Sequence, residues 1–481
     1  MNQLKQEFET VIGLEVHLQL NTATKIFCGC ANVFGDDPNT NTCPVCLGLP
    51  GTLPVLNKQA LFSSIKIGLA LNCQINPYIK FDRKNYYYPD LPKGYQISQF
   101  DLPVAWDGHI DISVGNGQKK TIRIKRAHME EDAGKLIHDN NADCSLVDYN
   151  RTGTPLMEIV TEPDLRFSQE AYDYLHILKL TLQYLNISDC DMEKGSLRCD
   201  ANISIRPKGQ TTLGTKTELK NMNSFKAVKA ALEYEEKRHR KVILDGGQIS
   251  QETLLWDENR QRTLTMRTKE DAHDYRYFSE PDLVPFVVDE KAIQDIKNSL
   301  PENPDEKLER FIRDYELSSY DAGILVADLS LANFFEDCAK MYPDTKKICN
   351  WINGALLQEL NARKLNLKDI DLSVNDFIAI IKKVDGNILS NLAAKDALRY
   401  VIDTGKSTEE IIKEKGLAQV SDEGSLLVVI DEVIKENETV VQEIKSGKES
   451  AIGFLIGQAM RKTKGKANPK KVGDLIKQKL L

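Results

Sequence analysis

The chain contains 481 residues, of which 41% are hydrophobic and 28% are charged, and its formal net charge is −8. This length predicts about three domains with real apolar cores, and the acidic balance gives no overall indication of nucleic-acid binding. No apolar run is long enough to cross a membrane and the N-terminus lacks the pattern of a signal peptide, so we expect a cytoplasmic protein that does not act at a membrane.

The first predicted strand carries apolar side chains on one face and ionisable side chains on the other. Leu14, Val16 and Leu18 alternate with Glu15 and His17. Because successive strand residues point to opposite faces, Glu15 and His17 share one side of the strand.

Four of the ten cysteines form two closely spaced pairs. Cys28 and Cys30 are followed, after twelve residues, by Cys43 and Cys46. Two such pairs on two turns can supply four tetrahedral thiolates, which predicts a structural Zn²⁺, although a C-x-C first pair departs from the usual C-x-x-C. Four thiolates leave no open coordination position, so a catalytic zinc is not expected.

Three later strands repeat the division into an apolar and an ionisable face. Their ionisable members are His128, Glu130 and Glu131; Arg198 and Asp200; and Glu218 and Lys220. If the four strands share a sheet, its polar face offers carboxylates to Mg²⁺ and Arg and Lys to a polyphosphate. An ordinary solvent-facing surface of an antiparallel sheet explains the pattern equally well.

The proline distribution separates a turn-rich first part from a helical second part. Fifteen of the seventeen prolines lie at or before Pro304. Apolar spacing predicts helices in the first part over 58–71, 171–185 and 223–240. Because strands and helices do not alternate regularly, the fold class is α+β with an antiparallel sheet, followed by all-α regions.

Turn-forming segments place the expected domain boundaries. We expect a first domain over 1–293, a helical domain over 294–404 and a helical tail over 405–481. Residues 461–481 carry eight Lys or Arg and one Asp, a local charge of +7. This charge could bind phosphates, but a solvated helix end is an equally valid interpretation.

Several familiar nucleotide and hydrolase motifs are absent from the sequence. It contains no Gly-Lys-Ser/Thr phosphate-binding loop, no dinucleotide fingerprint and no serine nucleophile elbow. Any ATP chemistry would therefore use a metal and cationic side chains on another kind of surface.

Long motifs across the whole chain resemble the GatB family, the B subunits of the aspartyl/glutamyl-tRNA(Asn/Gln) amidotransferase. The motifs are VIGLEVH at 11–17, KFDRKNYYYPD at 80–90, YQISQ at 95–99, HMEEDAGK at 128–135, GSLRCDAN at 195–202, ELKN at 218–221, DYRYF at 274–278 and the tail at 453–469.

The resemblance implies a fold, a reaction and partners. The first domain should be similar to glutamine synthetase and guanido kinases, and the tail similar to the YqeY family. The activity should be ATP- and Mg²⁺-dependent phosphorylation of the side-chain carboxylate of Glu or Asp mischarged on tRNA, followed by amidation with ammonia. An amidase subunit, GatA, should deliver the ammonia through a tunnel, with a small subunit, GatC, bracing a heterotrimer. Some family members lack the cysteines, so zinc cannot be essential to the reaction.

Site residues follow from the motifs and the strand pattern together. The expected ligands of the divalent ion are Glu15, His17, Glu130, Asp200 and Glu218, with Glu131 replacing or joining Glu130. Lys84 and Arg198 are the candidates for nucleotide phosphates or the acyl phosphate. His17 is a softer ligand than Mg²⁺ prefers, so binding through water, a preference for Mn²⁺ and a purely structural histidine all stay open.

Two aromatic and charged segments complete the candidate set. Tyr86 and Tyr88, with Tyr87 between them, could stack the terminal adenosine of tRNA, although strand alternation buries at least one of the three. Asp274 and Arg276 have a site role or form a structural ion pair. A competing function is a tRNA-binding scaffold whose chemistry resides in partner subunits. The sequence leaves open whether Asn-tRNA, Gln-tRNA or both are the product.

Overall fold

The computed structural model describes most of the chain and divides it into two compact units. The described residues are 7–115, 118–138, 144–268, 275–419, 423–446, 449–463 and 467–480. The units are Met1–Asn303 and Pro304–Leu481. In these ranges, no helix combines the length and the apolar character needed to span a bilayer.

The described part of the first unit contains the strands and five helices. The strands are β1 (Phe8–Gln19), β2 (Gln74–Ile75), β3 (Tyr78–Ile79), β4 (Asp82–Asn85), β5 (Tyr95–Ser98), β6 (Ala105–Val114), β7 (Gln118–Glu131), β8 (Lys135–His138), β9 (Ser145–Asp148), β10 (Pro155–Thr161), β11 (Leu197–Pro207), β12 (Thr217–Lys220), β13 (Glu252–Asp257), β14 (Arg262–Thr268), β15 (Phe278–Ser279) and β16 (Phe286–Val287). The helices are α1 (Pro44–Leu47), α2 (Lys58–Ala70), α3 (Ser168–Tyr184), α4 (Phe225–Leu244) and α5 (Glu290–Asn298).

The main sheet joins all four strands that were predicted from polar and apolar alternation. Across the described part of the chain its order is β14-β13-β12-β11-β1-β10-β7-β6-β2. Neighbouring strands are antiparallel except β12 and β13, which run parallel. The α+β class is therefore confirmed, with one parallel pair that alternation alone could not indicate. Smaller sheets are β15-β4-β5, β16-β3 and β8-β9.

The apolar face of the main sheet is buried under α2, α3 and α4, the three predicted helices. Leu14, Val16 and Leu18 of β1 are at most 1% exposed. Burial of each such side chain stabilises the fold by about 1.5–3 kcal/mol. Helix α4 begins where Ser224 accepts a hydrogen bond from the backbone N–H of Ala227. Covering one face with helices leaves the ionisable face of the sheet to form a site.

The second unit is helical. Its helices are α6 (Pro304–Asp314), α7 (Ser319–Val326), α8 (Leu329–Met341), α9 (Thr345–Trp351), α10 (Leu357–Arg363), α11 (Val374–Asp385), α12 (Asn391–Thr404), α13 (Thr408–Lys415), α14 (Glu423–Glu436), α15 (Glu438–Lys445), α16 (Ile452–Lys462) and α17 (Pro469–Leu480). Short 3₁₀ turns and one π turn, at Ile352–Leu356, lie between them.

The two expected domain boundaries, at 293/294 and 404/405, can be compared with the positions of the helices. Position 293 lies inside α5, whose Ile296 is buried in the core of the first unit. Position 405 lies between α12 and α13, but α13 packs on α11 and α12, and the backbone of Thr408 donates a hydrogen bond to Asp376. A separate apolar cluster of the tail begins at Leu426 on α14.

Candidate active site

The strand register places the ionisable side chains of β1 directly opposite those of its two neighbours. His17 faces Glu158 of β10 and Arg198 of β11. Glu15 faces Asp200. Directly opposed residues of paired strands lie on the same side of a sheet, so these five side chains share one surface.

His17 lies at the centre of the carboxylate cluster. Its Nε2 atom is 3.3 Å from a carboxylate oxygen of Glu158, 3.7 Å from one of Glu15 and 3.8 Å from one of Glu130. Glu130 and Glu158 are buried, whereas Glu15 is partly exposed. The imidazole therefore joins carboxylates from three different strands.

Two groups of side chains in this cluster have the spacing and chemistry of metal ligands. Glu15, His17 and Asp200 place one donor atom each within 4.8 Å of one another, and so do His17, Glu130 and Glu158. Carboxylate oxygens with one imidazole suit Mg²⁺ or Mn²⁺. The donor set therefore fits the expected divalent ion, and His17 belongs to both groups.

The cluster shifts the pKa values of its own members. Burial of the imidazole opposes its protonation, but Glu158, Glu130 and Glu15 outweigh burial and raise the pKa of His17 to about 9. Burial alone would raise the pKa of Glu130 and of Glu158, yet the histidines and Lys84 hold both below the usual value. The pKa of Glu15 is raised, by burial and by the charge of Glu158. Shifts of this kind are concentrated at functional sites.

Lys84 approaches the cluster from a different sheet. It lies on β4, with its Nζ atom 4.9 Å from the ring centre of Tyr275. Burial opposes its charge, but Glu130, Tyr277 and Glu158 keep the pKa of Lys84 raised. The structure thus places a positively charged ammonium near the carboxylates of Glu130 and Glu158.

Arg198 is held in place by Asp132, a residue that the sequence analysis did not single out as a site residue. The guanidinium Nη2 of Arg198 donates to Asp132 at 3.1 Å, and Gln19 donates to the other carboxylate oxygen at 2.8 Å. Arg151 lies 3.6 Å from the same carboxylate. Burial would raise the pKa of Asp132, but Arg198 and Arg151 lower it.

Glu218 lies on the polar face but is joined to the cluster through a lysine. The ammonium of Lys220 pairs with Asp200 and lies 3.2 Å from a carboxylate oxygen of Glu218. The hydroxyl of Thr253 donates to Glu218 at 2.8 Å. Lys220 therefore links Glu218 to Asp200, a member of the first ligand group.

Glu131 is not brought together with the other expected ligands. Its carboxylate accepts hydrogen bonds from the ammonium of Lys93 and, at 2.8 Å, from the backbone N–H of Ile97. Adjacent residues of a strand point to opposite sides, so only Glu130 of this pair reaches His17. These contacts make Glu131 an anchor that attaches β5 to the end of β7.

The three consecutive tyrosines have different surroundings. Tyr86 is half-buried, donates to Gln96 at 3.3 Å and packs edge-on against Tyr275. Tyr87 and Tyr88 are 79% and 52% exposed and line an open pocket of about 530 Å³ with Lys93 and Gly94. Exposed rings over a pocket are able to stack on a nucleobase.

The Asp274 and Arg276 pair can be followed only in part, because Asp274 lies outside the described residues. Arg276 has a left-handed φ of 41°, and its carbonyl accepts a hydrogen bond of 2.8 Å from Asn85 on β4. This segment is therefore attached to the strand that carries Lys84.

The four closely spaced cysteines, which are all free thiols, come together as expected from their spacing. The Sγ atom of Cys46 is 3.6 Å from that of Cys28, 3.7 Å from that of Cys43 and 3.9 Å from that of Cys30. Four sulfurs at the usual Zn–S distance of about 2.3 Å around a tetrahedral ion would be about 3.8 Å apart. The arrangement fits a zinc site.

Part of the basic tail is engaged in ion pairs within the tail. Lys462 pairs with Glu432 and Glu436, and Lys479 pairs with Asp431. Lys470 and Lys477 are exposed, and 464–466 lie outside the described residues. The positive charge that the tail can offer to a polyanion is therefore smaller than the +7 counted from the sequence of 461–481.

Glu158 is a second site residue, besides Asp132, that the sequence analysis missed. It lies in β10, whose residues 155–159 are all buried, so the strand shows no alternation. The sequence did offer one signal, which is a single carboxylate inside an apolar run. Because a buried charge requires partners, such a residue indicates a polar cluster.

Two family models match the chain. Residues 10–294 match the family model described as the GatB/GatE catalytic domain, and residues 333–480 match the one described as the GatB domain. The first match contains the whole of the carboxylate cluster.

Full-length relatives extend the similarity. The B subunit of the aspartyl/glutamyl-tRNA(Asn/Gln) amidotransferase of Carboxydothermus hydrogenoformans is 53% identical over 478 residues, which cover 99% of both chains. The proteins of the same name from Caldicellulosiruptor saccharolyticus and Moorella thermoacetica are 52% and 51% identical, over 98% of this chain and 99% and 100% of their own lengths. The chain therefore belongs to the GatB family of aspartyl/glutamyl-tRNA(Asn/Gln) amidotransferase B subunits.

Proposed function

We propose that the polar face of the main sheet transfers a phosphoryl group from ATP to the side-chain carboxylate of Glu or Asp mischarged on tRNA. The observation that carries this proposal is the meeting of carboxylates from four strands around His17, with Lys84 and Arg198 beside them. A poor electrophile such as a carboxylate needs activation before ammonia can displace oxygen, and membership of the GatB family supports that reaction class.

The first step is an in-line displacement. A carboxylate oxygen of the substrate attacks the γ-phosphorus of ATP, the bond to the β,γ-bridging oxygen breaks, and ADP leaves. Lys84 and Arg198 bind phosphate oxygens and balance their charge, because phosphoryl transfer needs mainly positioning and neutralisation. Asp132 holds Arg198 in the orientation required.

The second step forms the amide. Ammonia attacks the carbonyl carbon of the acyl phosphate, inorganic phosphate leaves, and the nitrogen loses a proton. We propose that the ammonia comes from glutamine hydrolysed by an amidase subunit, in a heterotrimer with a small third subunit. The curated relatives are named as B subunits, which supports a multi-subunit complex.

Two metal sites accompany this function. Mg²⁺ would be held either by Glu15, His17 and Asp200 or by His17 with Glu130 and Glu158. When bound, the ion neutralises phosphate charge. We propose Glu218 as an outer member that positions Lys220 and Asp200.

The second metal site is structural. Cys28, Cys30, Cys43 and Cys46 would hold Zn²⁺ and fasten their loop. Elemental analysis of protein purified without chelators should find about one equivalent of zinc.

The decisive experiment uses Asp200→Asn in the complete complex. ATP cleavage and amide formation should fall together by at least about a hundredfold, since charge neutralisation of a phosphoryl group contributes several kcal/mol. Binding of mischarged tRNA should change little. Asp111→Asn, on β6 of the same sheet, is the matched control and should retain activity.

The outcomes separate this proposal from the scaffold alternative. A variant that cleaves ATP normally but forms no amide would assign these carboxylates to ammonia rather than to phosphoryl transfer. Normal rates of both reactions would leave the chain as a tRNA-binding scaffold, with Tyr87, Tyr88 and the tail as its contacts.

A further inference from the structure

A fully buried lysine lies beside the cysteine cluster. Lys25 is 0% exposed, and its Nζ atom lies 3.5 Å from the Sγ atom of Cys46. The same ammonium donates to the carbonyl of Asn41 at 2.7 Å and to that of Tyr149 at 3.5 Å. Its three N–H donors therefore have three acceptors, two oxygens and one sulfur.

The charge of Lys25 needs an anionic partner. Lys is almost never fully buried unless it is paired, because desolvation of an ammonium is costly. Within the described residues, the polar contacts of Lys25 include no carboxylate. Cys46, as a thiolate, is the contacting group that can supply the negative charge.

We propose that Lys25 is a fifth functional residue of the zinc site, where its ammonium donates an N–H···S hydrogen bond to Cys46 and balances the charge of the cluster. Four thiolates around Zn²⁺ carry a net charge of −2 in a partly buried place, and one ammonium halves it. The inference rests on the proposal that the four cysteines bind zinc, and it is independent of the amidotransferase function.

Lys25 also connects the two cysteine pairs through the backbone. Its own N–H donates to the carbonyl of Cys30 at 3.0 Å, and its side chain reaches Asn41, two residues before Cys43. The contact with Tyr149 attaches both pairs to the segment that precedes β10. A single residue thus holds both cysteine pairs through hydrogen bonds, and ligands that are held in this way lower the entropy cost of binding an ion.

Zinc affinity of the full chain tests the proposal. Lys25→Met keeps the length of the side chain and removes the charge, and Lys58→Met removes an exposed charge from the start of α2 as the control. Competition with a chromophoric chelator should show zinc binding weakened by about tenfold or more in Lys25→Met, as expected for loss of a charged hydrogen bond. Lys58→Met and the charge-retaining Lys25→Arg should stay near wild type.

Each outcome decides the matter. If Lys25→Met fails to fold, Lys25→Gln, which keeps N–H donors without the charge, replaces it in the same competition. Wild-type affinity in the uncharged variant would refute the role of Lys25 while leaving the zinc site intact. Absence of zinc binding in the wild-type chain would refute both, without bearing on ATP cleavage by the complex.

Discussion

His17 and Glu158 face each other across β1 and β10, and the Nε2 atom of the histidine is 3.3 Å from a carboxylate oxygen. The same carboxylate lies 3.6 Å from Nε2 of His128, and Arg126 approaches its other oxygen at 3.8 Å. One oxygen of Glu158 thus contacts both histidines of the cluster. Its removal should disturb the site more than removal of a peripheral charge.

We predict that Glu158→Gln lowers ATP cleavage and amide formation by at least about a hundredfold, because Glu158 belongs to a proposed metal-ligand group and metal neutralisation of a phosphoryl group contributes several kcal/mol. At low Mg²⁺ concentration the variant should be slower still relative to wild type. Its rate should reach half of its maximum at a higher Mg²⁺ concentration than the wild-type rate does. Glu162→Gln, just after β10, is the control and should behave as wild type. Equal losses in both variants would deny Glu158 a specific role.

How much of this site the sequence could predict depends on the strand. The positions of Glu15, His17 and Asp200 were predictable, because both strands alternate and so fix which side each residue faces. Glu158 was not predictable, because β10 is buried on both sides and alternation vanishes there. The approach of Lys84 depends on packing between two sheets, which periodicity does not encode.

The ambiguity between Glu130 and Glu131 illustrates the same limit. Two adjacent carboxylates on one strand must face opposite sides, but only the pairing register decides which one meets His17. Leu156 pairs with Glu130 and Pro155 with Glu131 in the structure. The helices α2, α3 and α4 were correctly predicted because their apolar stripes are local features of the sequence.

We predict that Asp132→Asn raises the KM for ATP more than it lowers kcat. Asp132 does not reach the carboxylate cluster, but it fixes the guanidinium of Arg198 at 3.1 Å. Loss of a charged hydrogen bond costs about 1.5–3 kcal/mol, which corresponds to a roughly tenfold to hundredfold rise in KM. Asp132→Glu, which retains the charge, should recover part of the affinity. A change in kcat alone would contradict the assigned positioning role.

Acid should weaken the contact between α4 and the β12–β14 edge through Glu235. Its buried carboxylate accepts from Arg238 at 2.8 Å and from Thr263 at 2.6 Å, and His239 lies 3.4 Å away. Burial opposes ionisation, but these partners lower the pKa of Glu235 to about 2 from an ordinary 4.5. The stabilisation is therefore complete above pH 4.5 and is lost as the pH falls toward 2.

Urea unfolding at several pH values checks this prediction. Glu235→Gln should be less stable than wild type by on the order of a few kcal/mol at pH 7, and the difference should narrow as the solution is acidified. Glu236→Gln, which breaks a partly exposed pair with Arg240, should cost about 1 kcal/mol or less. If the difference in free energy of unfolding between wild type and Glu235→Gln stays constant down to pH 3, the assigned pKa is wrong.

The basic tail should contribute affinity for tRNA rather than chemistry. Arg461, Lys470 and Lys477 are exposed on α16 and α17, whereas Lys462 and Lys479 pair with acidic residues of α14. Replacing the first three by Gln should raise the KM for mischarged tRNA more than it lowers kcat. Each lost phosphate contact should also reduce the slope of log affinity against log salt by about 0.7–0.9.

Deletion of the tail module is the complementary test, and the structure decides where to cut. A cut at residue 405 would remove α13, which packs on α11 and α12, and would confuse lost affinity with lost stability. Deleting 420–481 keeps α13 and removes the apolar cluster that begins at Leu426. The shortened chain, in complex, should show a much higher KM for tRNA with kcat nearly retained. If KM and the salt slope both stay at wild-type values, the deleted segment is an ordinary solvated helical module, and tRNA must be held by residues before 420.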